Sequence, residues 1–295
     1  MEAEIRPLPE FDYFLPSSLS ETFTLLKNYK GRARLLAGGT DLLVKMKKRA
    51  ISPGVIVDLN KISELTFIEL ADHYLHIGGL TRLSVMGESS IVRERAPALA
   101  EAVNVLASPH IRNRATIAGN LCNASPAADT APSLLALDAS VKLQSADGER
   151  IVPLSQFFLG PEQTVTKPDE VLTEVIIPLQ EGASAFIKLG RRKAFTLSVA
   201  SVAAFAKVNN GKFEEVRIAL GAVAPTPIRA RKVEEALKGK DISEDNVEKA
   251  AQLVKEECCP ITDVRASAEY RTEMSYVLTK RVLKKVGWGE NVSTI

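Results

Sequence analysis

Residues 33–41 read Ala33-Arg34-Leu35-Leu36-Ala37-Gly38-Gly39-Thr40-Asp41, and this stretch decides how the beginning of the chain folds. The apolar run up to Ala37 predicts a short strand, and the two adjacent glycines end it. Residues 42–47 then predict a short helix, with Thr40 or Asp41 placed to cap its first amides. Glycines leave backbone N–H groups open to a ligand, and a turn of this kind before a helix favours an anion such as a phosphate. The alternative is a tight strand-to-helix turn that binds nothing.

The composition of the whole chain limits the classes of protein to be considered. It has 295 residues and a formal net charge of +2, with both signs spread along its length. This length predicts about two or three domains, and the balanced charge gives no reason to expect binding to nucleic acid or to a membrane surface. Residues 1–7 lack the basic and apolar regions of a signal peptide, and no apolar run approaches a membrane span. We therefore expect a cytoplasmic protein.

The cysteines and histidines give no sign of a metal site. The three cysteines form no Cys-x-x-Cys pair, so we expect no metal ion or iron–sulfur cluster held by this chain. His73 and His76 would face opposite sides of a strand, which makes a shared ligand improbable.

The segments around the glycine turn predict a small α/β unit that reaches residue 58. Ser18 and Glu21 fit a capping box at the start of a helix that ends near Tyr29. Residues 55–57 predict a buried strand that ends at Asp58.

The next part, up to residue 179, contains more strand signals and one unusual stretch. We expect strands at residues 66–70, 74–78, 141–144, 150–152 and 171–178, and a helix at residues 97–107. The first two strands are predicted to form one hairpin, and the next two a second hairpin. Residues 108–132 are mainly small and polar and contain three prolines, which predicts a long irregular loop. Such a loop is either an ordered surface loop or a loop that binds a ligand.

The last part of the chain begins near a predicted linker at residues 180–182. Asn209-Asn210-Gly211 is a strong hairpin turn between two strands. Strands are expected at residues 184–190, 198–208 and 215–221, and helices at residues 227–237, 244–257 and 268–286. A run of strands followed by a run of helices predicts an α+β domain.

Two motifs in the long loop, taken with the first glycine turn, carry a family resemblance. They are Thr116-Ile117-Ala118-Gly119-Asn120 and Ser125-Pro126-Ala127-Ala128-Asp129. With the turn at residues 37–41, they resemble the FAD-binding medium subunit of molybdenum hydroxylases, the family of carbon monoxide dehydrogenase, xanthine dehydrogenase and nicotinate-type hydroxylases. The resemblance covers nearly the whole chain.

The resemblance implies an α+β fold. The expected architecture is a two-part FAD-binding unit of the vanillyl-alcohol-oxidase/MurB (PCMH) type, followed by a C-terminal α+β domain with a small antiparallel sheet and helices. The expected domain limits are residues 1–58 and 59–179 for the two parts of the FAD-binding unit, and 180–295 for the C-terminal domain.

The resemblance also implies which residues contact the cofactor. The two glycine-bearing turns would hold the FAD pyrophosphate from two sides through their amides. Asp129 would bind a ribityl or ribose hydroxyl, unless it only forms a turn within the loop. Leu172 and Leu197 would line the isoalloxazine, although core packing explains them equally well, and Lys188 would lie near the flavin. The implied cofactor-binding residues are Leu36, Ala37, Gly38, Gly39, Thr40, Asp41, Thr116, Ile117, Ala118, Gly119, Asn120, Ser125, Asp129, Leu172, Lys188 and Leu197.

The implied role is electron transfer. Noncovalent FAD would take electrons from the [2Fe–2S] clusters of a small subunit and pass them to NAD or another acceptor, while a large subunit would hold molybdopterin. No catalytic acid, base or metal ligand is assigned to this chain. Two alternatives stay open, a freestanding FAD-dependent oxidase or reductase and a nonflavin scaffold subunit of the same fold.

Two basic runs have plain explanations beside functional ones. Arg191-Arg192-Lys193 is either a solvated charged run or a docking face for the iron–sulfur partner or an acidic acceptor. The cations of residues 45–49 suit the end of a helix.

Overall fold

The computed structural model of the chain describes residues 7–192 and 195–288. The expectation about a signal peptide rests mainly on residues 1–6, which lie outside the described residues, as does Lys193 of the basic run.

Three parallel strands and two helices form the first part of the chain. The elements are β1 (Asp12–Phe14), α1 (Leu19–Tyr29), β2 (Ala33–Leu36), α2 (Leu42–Lys47) and β3 (Val55–Asp58). Strand β3 lies between β1 and β2. The side chain of Ser18 accepts the amide of Glu21 at 3.2 Å and so begins α1, as predicted. The Glu21 carboxylate accepts the amide of Ser17, not that of Ser18, so only half of the capping box forms as expected.

A five-stranded antiparallel sheet and a group of short helices form the second part. The strands are β4 (Ile68–Ala71), β5 (Tyr74–Gly78), β6 (Ser140–Ser145), β7 (Gly148–Pro153) and β10 (Val171–Pro178). The helices are α3 (Leu83–Glu88), α4 (Ser90–Arg95), α5 (Pro97–Val105), α6 (Pro109–Arg112), α7 (Ile117–Cys122) and α8 (Thr130–Ala136). The strand order is β4-β5-β10-β6-β7, which confirms both predicted hairpins and places the predicted strand at 171–178 in the centre. A separate small hairpin consists of β8 (Phe158–Gly160) and β9 (Gln163–Thr164).

The predicted irregular loop at residues 108–132 is wrong. It holds two short helices, α6 and α7, and the start of α8. The side chains of Ser108 and Thr116 each accept the amide of the third residue after them, and each of these contacts begins a helical turn. Helices of four to six residues are too short to show a helical repeat of apolar residues, so the sequence pattern did not reveal them.

The third part is a four-stranded antiparallel sheet with three helices. The elements are β11 (Ala183–Gly190), β12 (Ser198–Asn209), β13 (Lys212–Gly221), β14 (Ile228–Arg229), α9 (Arg231–Leu237), α10 (Glu244–Gln252) and α11 (Ala268–Trp288). The strands pair in chain order. Two predicted helices are shorter than expected, because residues 227–230 contribute β14 and residues 253–256 form a 3-10 turn. The predicted helix at residues 268–286 is confirmed as α11.

The sheet of the third part is covered on both faces. Phe186 and Ala203 belong to a core shared with the helices of the second part, and α5 contacts β11. Ile187 and Val202 face the other way, into a core that also contains Leu278 of α11. Alternate residues of a strand point to opposite faces, so one sheet serves two cores. The core therefore crosses the linker at residue 180, and the domain limits remain a prediction.

Within the described ranges, no helix combines the length and the apolar character that a membrane span requires.

Candidate functional site

A cavity of about 710 Å³ lies where the first and second parts of the chain meet. Its wall is formed by β2 and the glycine turn after it, by α7, by the β8–β9 hairpin and by the residues that lead into β10. Ten of the predicted cofactor residues line it, namely Ala37, Gly38, Gly39, Thr40, Asp41, Thr116, Ala118, Gly119, Asn120 and Leu172. The structure thus brings together two turns that lie about 80 residues apart in the sequence.

The first glycine turn needs both of its glycines, for different reasons. A Cβ atom at Gly38 would lie 2.3 Å from the carbonyl oxygen of Arg114 and 2.8 Å from the Cα of Ala115. The main chains of the two turns therefore touch at this point. Gly39 adopts a φ of +75°, which a residue with a side chain rarely adopts.

The amides of this turn are free donors. In the described ranges, no protein acceptor is found for the backbone N–H of Gly38, Gly39, Thr40, Asp41 or Leu42. The expectation that Thr40 or Asp41 caps α2 is wrong, because the Asp41 side chain makes no capping bond and takes a weak contact of 3.4 Å from the Thr40 hydroxyl. The missing cap leaves a row of amide donors on the cavity wall, and such a row suits an anion.

The second turn differs from the first in that the amides of residues 117–120 donate to protein acceptors. Ile117 and Ala118 donate to the carbonyls of Thr81 and Gly79 at 3.1 Å and 3.0 Å. The amide of Gly119 donates to the Thr116 hydroxyl at 3.2 Å. The amides of residues 117–120 therefore already have protein acceptors, and contact of this turn with the pyrophosphate remains a prediction. What it places on the cavity wall is a close-packed surface of small residues and the polar side chain of Asn120.

Asp129 and Lys188 form a buried ion pair outside the cavity wall. Nζ of Lys188 lies 2.6 Å from Oδ2 of Asp129, and both side chains are 4 % exposed. Ser198 also donates to Asp129. Burial raises the pKa of Asp129, and the Lys188 ammonium opposes this effect.

This ion pair is linked to the cavity through Thr130, the next residue after Asp129. The Thr130 hydroxyl donates to Oδ1 of Asn120 at 2.5 Å, and Asn120 lines the cavity. A direct contact of Asp129 or Lys188 with a cofactor remains a prediction.

The other predicted residues divide into one that lines the cavity and four that do not. Leu172 lines it and is 4 % exposed. Leu197 is 61 % exposed and lies outside the lining, so the structure does not bring it to the cavity. The remaining residues outside the lining are Leu36, Ile117 and Ser125.

Several charged residues of the cavity wall were missed from the sequence. Lys45, Glu162 and Glu170 all line the cavity. Lys45 is explained from the sequence only as a cation that suits the end of α2. Lys45 follows Asp41 by one helical turn, and this spacing indicates that the two side chains share one face of α2. Glu162 and Glu170 lie in a segment without regular periodicity, so no sequence signal marked them.

Glu170 is held as a carboxylate by an arginine. Arg150 donates to it through Nε at 2.7 Å and through Nη2 at 2.9 Å. This contact keeps the pKa of Glu170 below its usual range. Glu170 is therefore unsuited to donate a proton near neutral pH.

The titratable side chains of the cavity wall are three carboxylates, two lysines, one arginine and one cysteine. None of the three histidines lines it. Among the described residues, no group of three or more histidine, cysteine or acidic side chains could hold a metal ion. The wall combines free amides and a few charged side chains with an apolar surface that includes Leu26, Leu80 and Val171, which suits a ligand with an anionic part and a flat apolar part.

Comparison with known families identifies the ligand class. Residues 9–180 match the family described as "FAD binding domain in molybdopterin dehydrogenase", and residues 185–286 match "CO dehydrogenase flavoprotein C-terminal domain". The chain belongs to the FAD-binding medium subunits of the molybdenum hydroxylase family, and it is an oxidoreductase subunit. The predicted family and fold class are confirmed.

Individual relatives match over nearly their full length. The glyceraldehyde dehydrogenase medium chain of Sulfolobus acidocaldarius is 35% identical, over 94% of this chain and 99% of the relative. The xanthine dehydrogenase FAD-binding subunit of Escherichia coli O157:H7 is 35% identical, over 92% of this chain and 94% of the relative. A solved chain of carbon monoxide dehydrogenase from Hydrogenophaga pseudoflava superposes with a TM-score of 0.92 at 35% identity, covering 96% of this chain and 99% of that chain.

Proposed function

We propose that the chain binds FAD noncovalently in the cavity and acts there as the electron-transfer subunit of a molybdenum hydroxylase complex. The observation that carries the placement is the row of free amides at residues 38–42 on the cavity wall. A diphosphate needs several donors at close range, and backbone amides next to glycines supply them without side-chain bulk. FAD, when bound, supplies the chemistry that collects single electrons and releases them in pairs.

The residues of this chain bind and orient the cofactor in this proposal. The amides of the first turn donate to the diphosphate, and the Asn120 side chain adds a polar contact from α7. Leu172 and its apolar neighbours exclude water from the flat part of the ligand. Asp129 and Lys188 support the wall from behind, because the turn that they hold carries Thr130, the donor to Asn120.

The partners and the acceptor form the second part of the proposal. We propose a large subunit with molybdopterin, a small subunit with two [2Fe–2S] clusters, and NAD or another electron acceptor, in the cytoplasm. Relatives are called medium chains or FAD-binding subunits. Among the neighbouring solved structures, one is of a Cu,Mo-CO dehydrogenase, and another is of a carbon monoxide dehydrogenase that lacks the Mo-pyranopterin moiety of its molybdenum cofactor. The match to relatives named as medium chains or FAD-binding subunits over nearly their full length favours a subunit over a freestanding oxidase.

The absorption spectrum of the purified chain tests the cofactor. We expect flavin bands near those of oxidised FAD, and release of unmodified FAD on heating. Release of FMN alone would contradict the use of the diphosphate site. A colourless chain that takes up no added FAD would make the scaffold alternative the better one.

Purification of a tagged chain from its own cells tests the partners. We expect a larger and a smaller polypeptide to copurify, together with molybdenum and iron. Reduction of the bound flavin by substrate, followed by mixing with NAD or with an artificial acceptor, identifies the acceptor. A chain that purifies alone with FAD and turns over a substrate would favour the freestanding oxidase. Cell fractionation tests the location.

A further inference from the structure

Lys45 lines the cavity, although it is not among the predicted cofactor-binding residues. Its amide donates to the carbonyl of Asp41 at 2.9 Å, which places it one turn along α2 from the end of the free amide row. Its Nζ lies 3.0 Å from Oδ1 of Asn123 and 2.8 Å from Oε1 of Glu162. All three residues line the cavity, so Lys45 joins the first part of the chain to the second at the cavity wall.

A cation on the cavity wall would add to the binding of a diphosphate, because the amides donate hydrogen bonds but carry no net charge. The diphosphate of a dinucleotide carries about two negative charges at neutral pH, and the amides of the second turn are already bonded to protein acceptors. Arg34 and Lys167 also line the cavity. Arg34 donates to the nearby carbonyls of Gly31 and Ala33, and Lys167 lies beside the Glu170 carboxylate, which accepts its amide at 2.8 Å. Lys45 is held by two side chains and can exchange a partner without a change in the main chain.

Glu162 is suited to leave this contact. Its side chain is 63% exposed, whereas that of Lys45 is 28% exposed. The main chain of Glu162 is fixed separately, because its amide donates to the carbonyl of Ala124 at 2.9 Å. The carboxylate can therefore turn into water at small cost, since exposed ion pairs contribute little to stability.

We propose that Lys45 is the cationic ligand of the cofactor's phosphate, and that Glu162 holds its ammonium in place until the phosphate displaces the carboxylate. This inference rests on the proposed binding of FAD in the cavity. It adds one binding residue, and it gives Glu162 the role of a competitor for Lys45.

The test measures the dissociation constant of FAD for the full-length apo chain by quenching of flavin fluorescence. Lys45→Met should weaken binding by about 10- to 100-fold, the loss expected for one hydrogen bond to a charged group. Glu162→Gln should strengthen binding by about two- to fivefold, because the competitor and its charge are removed. Lys47→Met is the matched control, since it removes the same charge from an exposed position of the same helix outside the cavity lining, and it should leave the constant unchanged.

The direction in which Glu162→Gln changes FAD affinity shows whether Glu162 competes with the phosphate or only stabilises the contact between the two parts of the chain. If the ion pair only held the two parts of the chain together, Glu162→Gln would weaken FAD binding as Lys45→Met does, and this result would overturn the inference. Lys45→Arg keeps the charge and should retain affinity within about threefold. Thermal unfolding of each apo variant checks the fold, and the glutamine and arginine variants decide the question if the methionine variant does not fold. A wild-type chain that binds no FAD refutes the proposed function itself, whereas wild-type binding with no effect of Lys45→Met refutes only this inference.

Discussion

Replacing Gly38 by alanine tests whether the two glycine turns must touch for the cavity to form. The new Cβ would lie 2.3 Å from the Arg114 carbonyl oxygen and 2.8 Å from the Ala115 Cα. Both are main-chain atoms, and they lead directly into the second turn, so the strain is relieved only if the two segments move apart. Overpacking of this kind costs typically about 1–3 kcal/mol. If opening of the cavity relieves it, the same energy appears as a loss of about 5- to 150-fold in FAD affinity.

Two measurements on Gly38→Ala separate these outcomes. Urea unfolding of the apo chain gives the change in folding stability, and FAD titration gives the change in affinity. Gly54→Ala is the control, because a Cβ there meets only Nη2 of Arg32, at 3.7 Å. We expect both quantities to stay near wild type in the control. If Gly38→Ala also changes both by less than about 0.5 kcal/mol, below the usual cost of overpacking, the close approach of the turns is not needed and the reasoning fails.

Three further changes test other parts of the structure. Asp129→Asn leaves the Lys188 ammonium buried without a counter-charge, so the free energy of unfolding in urea should fall by about 3–5 kcal/mol. A fall of less than about 1 kcal/mol would show that the ion pair contributes little to stability. Because Arg150 lowers the pKa of Glu170, their pair stabilises the fold above about pH 4.5, and this contribution is lost as the pH falls through the lowered pKa. The Glu170→Gln variant should therefore be less stable than wild type at pH 7, and its free energy of unfolding should change less between about pH 5 and pH 3. If the wild type and the variant show the same dependence of stability on pH, this reasoning is wrong. Gly119→Asp places a carboxylate on the cavity wall beside the proposed diphosphate, so the folded variant should contain no FAD, and stoichiometric FAD in it would remove Gly119 from the site.

The strands and the long last helix were predictable because each leaves a local pattern. Residues 171–178 are apolar throughout and form the central strand β10, and Asn209-Asn210-Gly211 forms the expected hairpin turn. The helices α6 and α7 were not predicted, because they are too short to show apolar residues at a helical repeat. Their caps, Ser108 and Thr116, give no signal alone, because a capping bond forms only when the following main chain is helical.

The candidate site was predicted in part, and the errors have a common cause. The glycine turns were found because their residue types are rare together. Which amides are free was not predictable, since the acceptors for Ile117 and Ala118 come from Thr81 and Gly79, far away in the sequence. The same holds for Lys188, whose partner Asp129 lies 59 residues earlier.

The sequence by itself determined the class of this protein, because two glycine-bearing motifs and their order along the chain are local features that do not depend on how the chain packs. It also determined most strands, whose apolar residues repeat over short distances. Only the tertiary structure decided which groups face the cavity and which of them already have hydrogen-bond or ion-pair partners within the protein. It brought Lys45 to Glu162, left the amides of the first turn free and satisfied those of the second. The physical reason is that hydrogen bonds and ion pairs at the site join residues distant in sequence, and the partners of a donor exist only after the chain has packed.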